Sequence, residues 1–304
     1  MTLPHSPTIR RATPDDAEAC HAVMWASVTD LARRHAVTLD GSAAEWWAGG
    51  ESLHRFLAAH AAEWWLAQEP RSGDVIGYAR SIARGGLLEL TEFFVLPGHQ
   101  SAGVGRSLLE RAFPAGRGEV RSIIATTDMR AQSRYVRAGT VARFPFFSLV
   151  GTPAHASMDG DLTARVIDVD AEPDRHLVRG IESAVLEYAR DDADIQWLLG
   201  DRQGILYLRG DQPAGFAFVG ERGVGPVAVL DSRDTPGILL DVEERACTAG
   251  VARLDFHVPA PNEVATRHLL SRGFQLDPWI NLQMSSRPFG RFDRFITFGP
   301  PMFL

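Results

Sequence analysis

The 304-residue sequence predicts a mixed α/β fold in two tandem halves, and three observations carry that reading. First, one chemical pattern recurs at a constant offset of 134 residues. Val95, Gly103, Ala112, Ala131 and Gly139 stand opposite Val229, Gly237, Ala246, Ala265 and Gly273 without an insertion. Second, strand-like and helical segments alternate in both halves, as in a mixed sheet flanked by helices. Third, the length fits two domains of about 150 residues each. A repeat sets the domain count before any fold is assigned. The expected boundaries are a first domain over residues 1–150, a linker of small residues over 151–161, and a second domain over 162–304.

The first half opens with a short strand over residues 8–11. Thr13-Pro14-Asp15-Asp16 then starts a helix, with a hydroxyl at the N-cap, proline in the first turn and acids where the helix dipole favours them. Helical spacing continues to about Ala36 and resumes over 42–60. Residues 64–67 and 75–82 read as strands joined by the Pro70-Arg71-Ser72-Gly73 turn. Residues 87–96 form a long apolar strand that runs into a glycine loop and a helix to about Phe113. The Pro114-Ala115-Gly116-Arg117-Gly118 run breaks that helix. A buried strand over 122–127, a helix over 131–138 and a strand over 144–150 complete the half. The second half repeats the order: a strand over 162–169, a helix over 174–189, strands over 205–208 and 215–219, then strand, helix, strand, helix. The tail from Trp279 is aromatic and punctuated by glycine, the pattern of paired strands.

Composition narrows the function. The chain is 45% hydrophobic and 23% charged, which suits a soluble globular protein. A net charge of −7 disfavours nucleic acid and anionic membrane as partners. All 31 basic residues are arginine, which excludes a Walker-type phosphate loop and any Schiff-base lysine. Cys20 and Cys247 lie in separate halves and outside any metal-ligand spacing, so neither a disulfide framework nor a metal site is expected. The N-terminal segment lacks the apolar stretch of a signal peptide, and nothing downstream is long enough to span a bilayer, so a cytoplasmic location is the expectation.

Gln100-Ser101-Ala102-Gly103-Val104-Gly105 lies between the apolar strand and a helix carrying Val104, Leu108, Leu109 and Ala112 on one face. Glycines let successive N–H groups point into one concavity. The helix N-terminus behind adds about half a positive charge, which makes a pyrophosphate site. With no lysine available, the amides and Arg106 are the expected charge complement. Val95-Leu96-Pro97 followed by Gln100-x-x-Gly103-x-Gly105 resembles the acyl-CoA signature of the GNAT N-acetyltransferase superfamily. Asp128-x-x-Ala131-x-x-x-Tyr135-x-x-x-Gly139 resembles that family's second element, departing from it in having Asp128 for asparagine and Thr140 for phenylalanine.

The resemblance implies two tandem GNAT-like domains, each a mixed, mostly antiparallel sheet flanked by helices with a splayed parallel strand pair. It also implies acetyl-CoA as co-substrate. The pantetheine arm would bond to the backbone of Phe94, Val95 and Leu96. The pyrophosphate would sit on residues 101–105, with Gln100, Arg106, Asp128 and Ser133 nearby. Tyr135 stands where the family commonly places the acid that meets the departing thiolate. For the base that deprotonates the amine, Glu92 and Glu89 are the candidates, with Glu92 preferred, since carboxylates in an apolar strand are costly to bury unless they work or are paired. Their spacing puts them on opposite faces of a regular strand, and the bulge usual in this family could alter that relation.

Trp46, Trp47, His54, Phe56 and the 144–147 strand stand on the expected acceptor side, where core packing is the competing reading; His99 is expected to be exposed. The acceptor expected is a primary amine of a small molecule or peptide, and the protein a monomer or homodimer. The alternative is a non-catalytic, acyl-CoA-responsive regulatory protein.

At the 134-residue offset, Pro97, Gln100, Gly105 and Tyr135 become Asp231, Asp234, Leu239 and Leu269, while Glu89 and Glu92 become Gly223 and Pro226. Asn262, Ala265, Gly273 and Phe274 persist. The second half is therefore expected to keep the fold and to have lost acyl-CoA binding.

Overall fold

The computed structural model describes residues 6–100, 103–158, 160–221 and 223–298. Ser101 and Ala102 of the expected phosphate loop, and the last six residues of the tail, lie outside this set. The chain divides into two compact units, one of residues 1–123 and 128–141 and the other of residues 124–127 and 142–304.

The first unit begins with β1 (Thr8–Arg11), α1 (Ala17–Arg34) and α2 (Ala43–Ala59). Ser42 caps α2 reciprocally: its hydroxyl accepts from the Glu45 amide at 3.3 Å, and the Glu45 carboxylate takes the Ser42 amide at 2.7 Å. Then follow β2 (Glu63–Gln68), β3 (Val75–Arg84), β4 (Leu87–Val95), α3 (Val104–Ala112), β5 (Val120–Thr126) and α4 (Met129–Arg137). The sheet runs β1-β2-β3-β4-β5, antiparallel throughout except for the parallel β4·β5 pair. The apolar side of α1 buries Cys20, Val23 and Met24 against Trp64, Leu66 and Tyr78 of β2 and β3. Helix α3 packs on β2 and β3, and Ser81 reaches from β3 to bond the Ala112 carbonyl at 2.7 Å.

The second unit contains β6 (Val141–Gly151), β7 (Leu162–Val166), α5 (Glu172–Leu186), α6 (Asp192–Asp201), β8 (Gln203–Arg209), β9 (Gln212–Gly220), β10 (Gly223–Val229), α7 (Thr235–Thr248), β11 (Leu254–Pro259), α8 (Glu263–Ser271), β12 (Gln275–Ser285) and β13 (Phe295–Ile296). Its strands run β13-β10-β9-β8-β7 and β12-β6-β11. Leu149, Ile205, Tyr207, Val227, Ile238, Leu239, Val242 and Phe256 share its core.

Two features were not anticipated from the sequence. The division between compact units falls at residue 141, where β6 begins and pairs antiparallel with β11 from Leu254↔Gly151 to Pro259↔Phe146. Leu149 is buried in one cluster with Leu254, Phe256 and Val258, so the strand's apolar side is satisfied within the second unit. Residues 151–161 accordingly lie inside that unit. The second difference is α6, absent from the predicted elements. Only Ile195, Leu198 and Asp194 of it are buried, too few for a clear helical period. Its signal was the cap: Asp191 accepts from the Asp194 amide at 3.0 Å, and Asp194 takes the Asp191 amide at 2.9 Å.

Candidate active site

Strand β4 sets the site. Its register against β3 shifts between Arg80↔Glu92 and Ser81↔Leu90, which leaves Thr91 as a bulged residue. Cross-strand partners share a sheet face. Glu89 pairs with Ile82 and Glu92 with Arg80, and Ile82 and Arg80 are two residues apart. The bulge thus brings Glu89 and Glu92 to one face, where a regular strand would hold them on opposite faces. Pairing between β4 and β5 runs from Leu87↔Val120 only to Leu90↔Ile123, although β4 continues to Val95. Beyond Leu90, β4 runs on without β5 as a pairing partner; among the expected ligand contacts the Leu96 amide donates to the Ile76 carbonyl at 2.9 Å and the Val95 carbonyl accepts from Ser27 Oγ at 3.4 Å.

The loop after β4 turns into α3 at Gly103, whose φ of +78° is the left-handed conformation that glycine adopts without strain. Val104 and Gly105 are buried in the first turn of that helix. A Cβ at Gly105 would stand 3.1 Å from Phe93 Cζ and 3.5 Å from Arg134 Cζ, so the missing side chain lets Phe93 and Arg134 pack close against the first turn of the helix. Gln100 closes the loop: its Nε2 donates to the Val95 carbonyl at 3.1 Å. Two arginines reach over it from α4. Arg130 Nη1 donates to Gln100 Oε1 at 2.6 Å, and Arg134 Nη2 to the Gln100 carbonyl at 3.3 Å. Arg106 is instead engaged by Glu110 of its own helix at 2.8 Å and is exposed. The cations beside the loop are thus Arg130 and Arg134. Sequence reasoning missed them, and their spacing of four residues, one face of one helix, was the available signal.

Helix α4 starts at Asp128, whose side chain accepts from the Arg130 amide at 2.9 Å and from Arg34 Nη2 at 2.8 Å. Burial pushes its pKa up, but the hydrogen bonds and charges of Arg34 and Arg130 together more than reverse that push and hold its carboxyl below the usual carboxylate range. Ser133, expected near the ligand, is exposed and returns its hydroxyl to the Met129 carbonyl at 2.7 Å. Tyr135 is buried with its ring edge-on to Phe93, centroids 5.9 Å apart. Burial raises its phenol pKa well above the usual value, so it stays protonated at neutral pH.

The two glutamates part company in their surroundings. Glu92 is buried among three partners: the Arg80 guanidinium, the Tyr78 hydroxyl, which donates at 2.9 Å, and His54 Nδ1 at 3.3 Å. Burial pushes its pKa up, and Arg80, His54 and Tyr78 more than reverse that push, to about 2. His54 Nε2 lies 3.3 Å from His21 Nδ1, and Trp47 stacks on His54. His54, Phe56 and His21 therefore belong to the packed interior under α1 and α2, while Trp46 and Trp47 are half-buried. Glu89 is also buried, at 2% exposure, beside the last β4·β5 pairs. His99 is exposed.

The counterpart loop in the second unit is built differently. Arg209 Nη2 bonds Asp234 at 2.5 Å, and Arg233 bonds Asp231 at 2.6 Å. Arg209, Arg233 and Asp234 line a cavity of about 380 Å3 with Asp161, Leu162 and Gly237. Each arginine there already has a carboxylate where a phosphate would need it. Leu239 fills the position of Gly105 and is buried in the core. Among the described residues no cluster could hold a metal ion, and no helix is long and apolar enough to cross a membrane.

Residues 25–139 match the acetyltransferase (GNAT) family model. No curated protein matches the sequence. Among solved structures, a Pyrococcus horikoshii protein provisionally named an acetyltransferase has a TM-score of 0.71 at 15% identity, over 97% of this chain and 95% of that one. A GCN5-related N-acetyltransferase from Sphaerobacter thermophilus has a TM-score of 0.63 at 18% identity, over 94% and 98%. A tandem GNAT protein from the clavulanic acid biosynthesis pathway has a TM-score of 0.55 at 14% identity, over 93% and 99%. At these identities the likeness is one of fold.

Proposed function

We propose that the first unit, within which residues 25–139 match the GNAT acetyltransferase family model, moves an acetyl group from acetyl-CoA to a primary amine of a small molecule or peptide, and that the second unit binds no acyl-CoA. The observation that carries this reading is that β4 continues past its last pair with β5 at Leu90 and is followed in the chain by a left-handed Gly103 that opens α3. Backbone groups of Phe94, Val95 and Leu96 would hold the extended pantetheine arm. The amides around Gly103, Val104 and Gly105 would hold the pyrophosphate, with Arg130 and Arg134 supplying the positive charge that lysine supplies elsewhere.

Acetyl transfer joins the amine nitrogen to the thioester carbonyl carbon and breaks the carbon–sulfur bond. The amine must be neutral to attack, so its proton passes to a base, directly or through water. Glu92 suits that task poorly: a carboxyl with a pKa of about 2, enclosed by Arg80, Tyr78 and His54, has little tendency to take a proton. We assign the base to Glu89, on the same face and beside the point where β4 and β5 part. The Tyr135 phenol, kept protonated by burial, would donate to the sulfur as negative charge develops there. Glu92 then serves the site indirectly, by anchoring Arg80 and the bulged strand.

Free thiol release from acetyl-CoA, measured across a panel of amines, tests the proposal. Amine-dependent thiol release that falls by about 100-fold in Tyr135→Phe is expected for a proton donor acting in the transition state. Acetyl-CoA binding with no turnover on any amine, identical in wild type and variant, would favour the regulatory alternative.

A further inference from the structure

In the second unit the position that corresponds to the open β4 edge is filled. Strand β13 lies antiparallel on β10, with Ala228 opposite Phe295 and Val227 opposite Ile296. At the 134-residue offset, Val227, Ala228 and Val229 are the counterparts of Phe93, Phe94 and Val95. On its other side the same segment meets β11: Thr297 bridges His257, and its amide donates to the His257 carbonyl at 3.2 Å. His257 is the counterpart of Ile123, the last residue at which β4 and β5 pair. The segment therefore runs between the two strands whose counterparts splay apart in the first unit.

Three features fit it there. Asn262, the counterpart of Asp128, donates from Nδ2 to the Phe295 carbonyl at 3.1 Å while its Oδ1 accepts from the Ala265 amide at 3.0 Å. Gly225 has a φ of +118°, and a Cβ there would press into the Thr297 carbonyl. Phe295, Ile296, Thr297 and Phe298 are each at most 2% exposed. An extended backbone bonded on both edges, with an amide side chain on its carbonyl, presents the same donors and acceptors that the amide-bearing pantetheine arm would bring.

We propose that residues 295–298 are a resident peptide surrogate for the pantetheine arm, closing the second acyl-CoA cleft from within. The closure adds to the carboxylates at the counterpart loop and makes the second unit unable to take acyl-CoA even where its strands persist. The inference rests on the reading that acyl-CoA lies along β4 in the first unit, and the test separates the two.

Hydrogen–deuterium exchange of the full chain, with and without saturating acetyl-CoA, reads both clefts at once. Peptides spanning 223–229 and 295–298 should exchange on the order of 100-fold or more slower than unstructured chain, as for buried ladder amides, with no change on adding acetyl-CoA. The peptide spanning 91–105 should slow on adding it. Exchange in 295–298 that quickens with acetyl-CoA would show displacement of the segment and overturn the inference. A silent 91–105 peptide beside a protected, unresponsive 295–298 would leave the surrogate in place and remove the assignment of acyl-CoA to β4. In Asn262→Ala, exchange of 295–298 should rise by roughly 10-fold, the effect of one buried hydrogen bond. Unchanged rates would contradict the anchoring role of Asn262.

Discussion

Glu92 shows how one residue's surroundings decide its role. The free chain gives a glutamate an ordinary pKa of 4.5, and the folded site holds it at about 2. A carboxyl depressed on folding contributes stability that is present above its unfolded value and lost as pH falls towards the folded one. Glu92→Gln leaves the buried Arg80 guanidinium without its counter-charge, a loss of about 3 kcal/mol or more at pH 7. That gap between wild type and variant should narrow between pH 4.5 and about 2 in denaturant titrations. A gap independent of pH would contradict the ion-pair account. Glu89→Gln, by contrast, should lower kcat/KM by about 100-fold, as expected for a base. An unchanged kcat/KM would place the base elsewhere. Both carboxylates were legible in the sequence as costly residues in an apolar strand. That Glu92 sits in an ion-paired cluster was not, because that depends on Arg80, Tyr78 and His54 converging from other elements.

The elements were legible where periodicity or caps are strong. Strands β3 and β4 announce themselves as apolar runs, and α2 by the Ser42–Glu45 capping box. A bulge in β4 was anticipated only through the family resemblance, and its place at Thr91 was not legible, since it is a property of register between two strands. Nor was the partner of β6, because strand pairing over about a hundred residues of separation leaves no local trace. The same reasoning explains the two arginines of α4. Their spacing could be read, but their position over Gln100 depends on how α4 docks against the loop. Arg134→Ala and Arg130→Ala should each weaken acetyl-CoA binding by about 10-fold and flatten its salt dependence, as charge-assisted contacts to phosphate do. Arg106→Ala, which frees only a surface pair with Glu110, should leave affinity within about twofold of wild type.

At the scale of the whole chain, the repeat turns sequence differences into chemical ones. Small and apolar positions persist in both copies because folding requires them. The differences fall at the phosphate cradle, the tyrosine and the open strand edge. In the second unit these become paired carboxylates and arginines, Leu269, and a cleft occupied by β13. The tandem organisation could be read from the constant offset, whereas the strand that fills the second cleft could not, since it lies in a tail with no counterpart in the first copy. Calorimetric titration of the full chain with acetyl-CoA tests the account most directly. One site per chain is expected, abolished by Gly105→Leu and untouched by Leu269→Ala. Two sites per chain, or binding that survives Gly105→Leu, would contradict it.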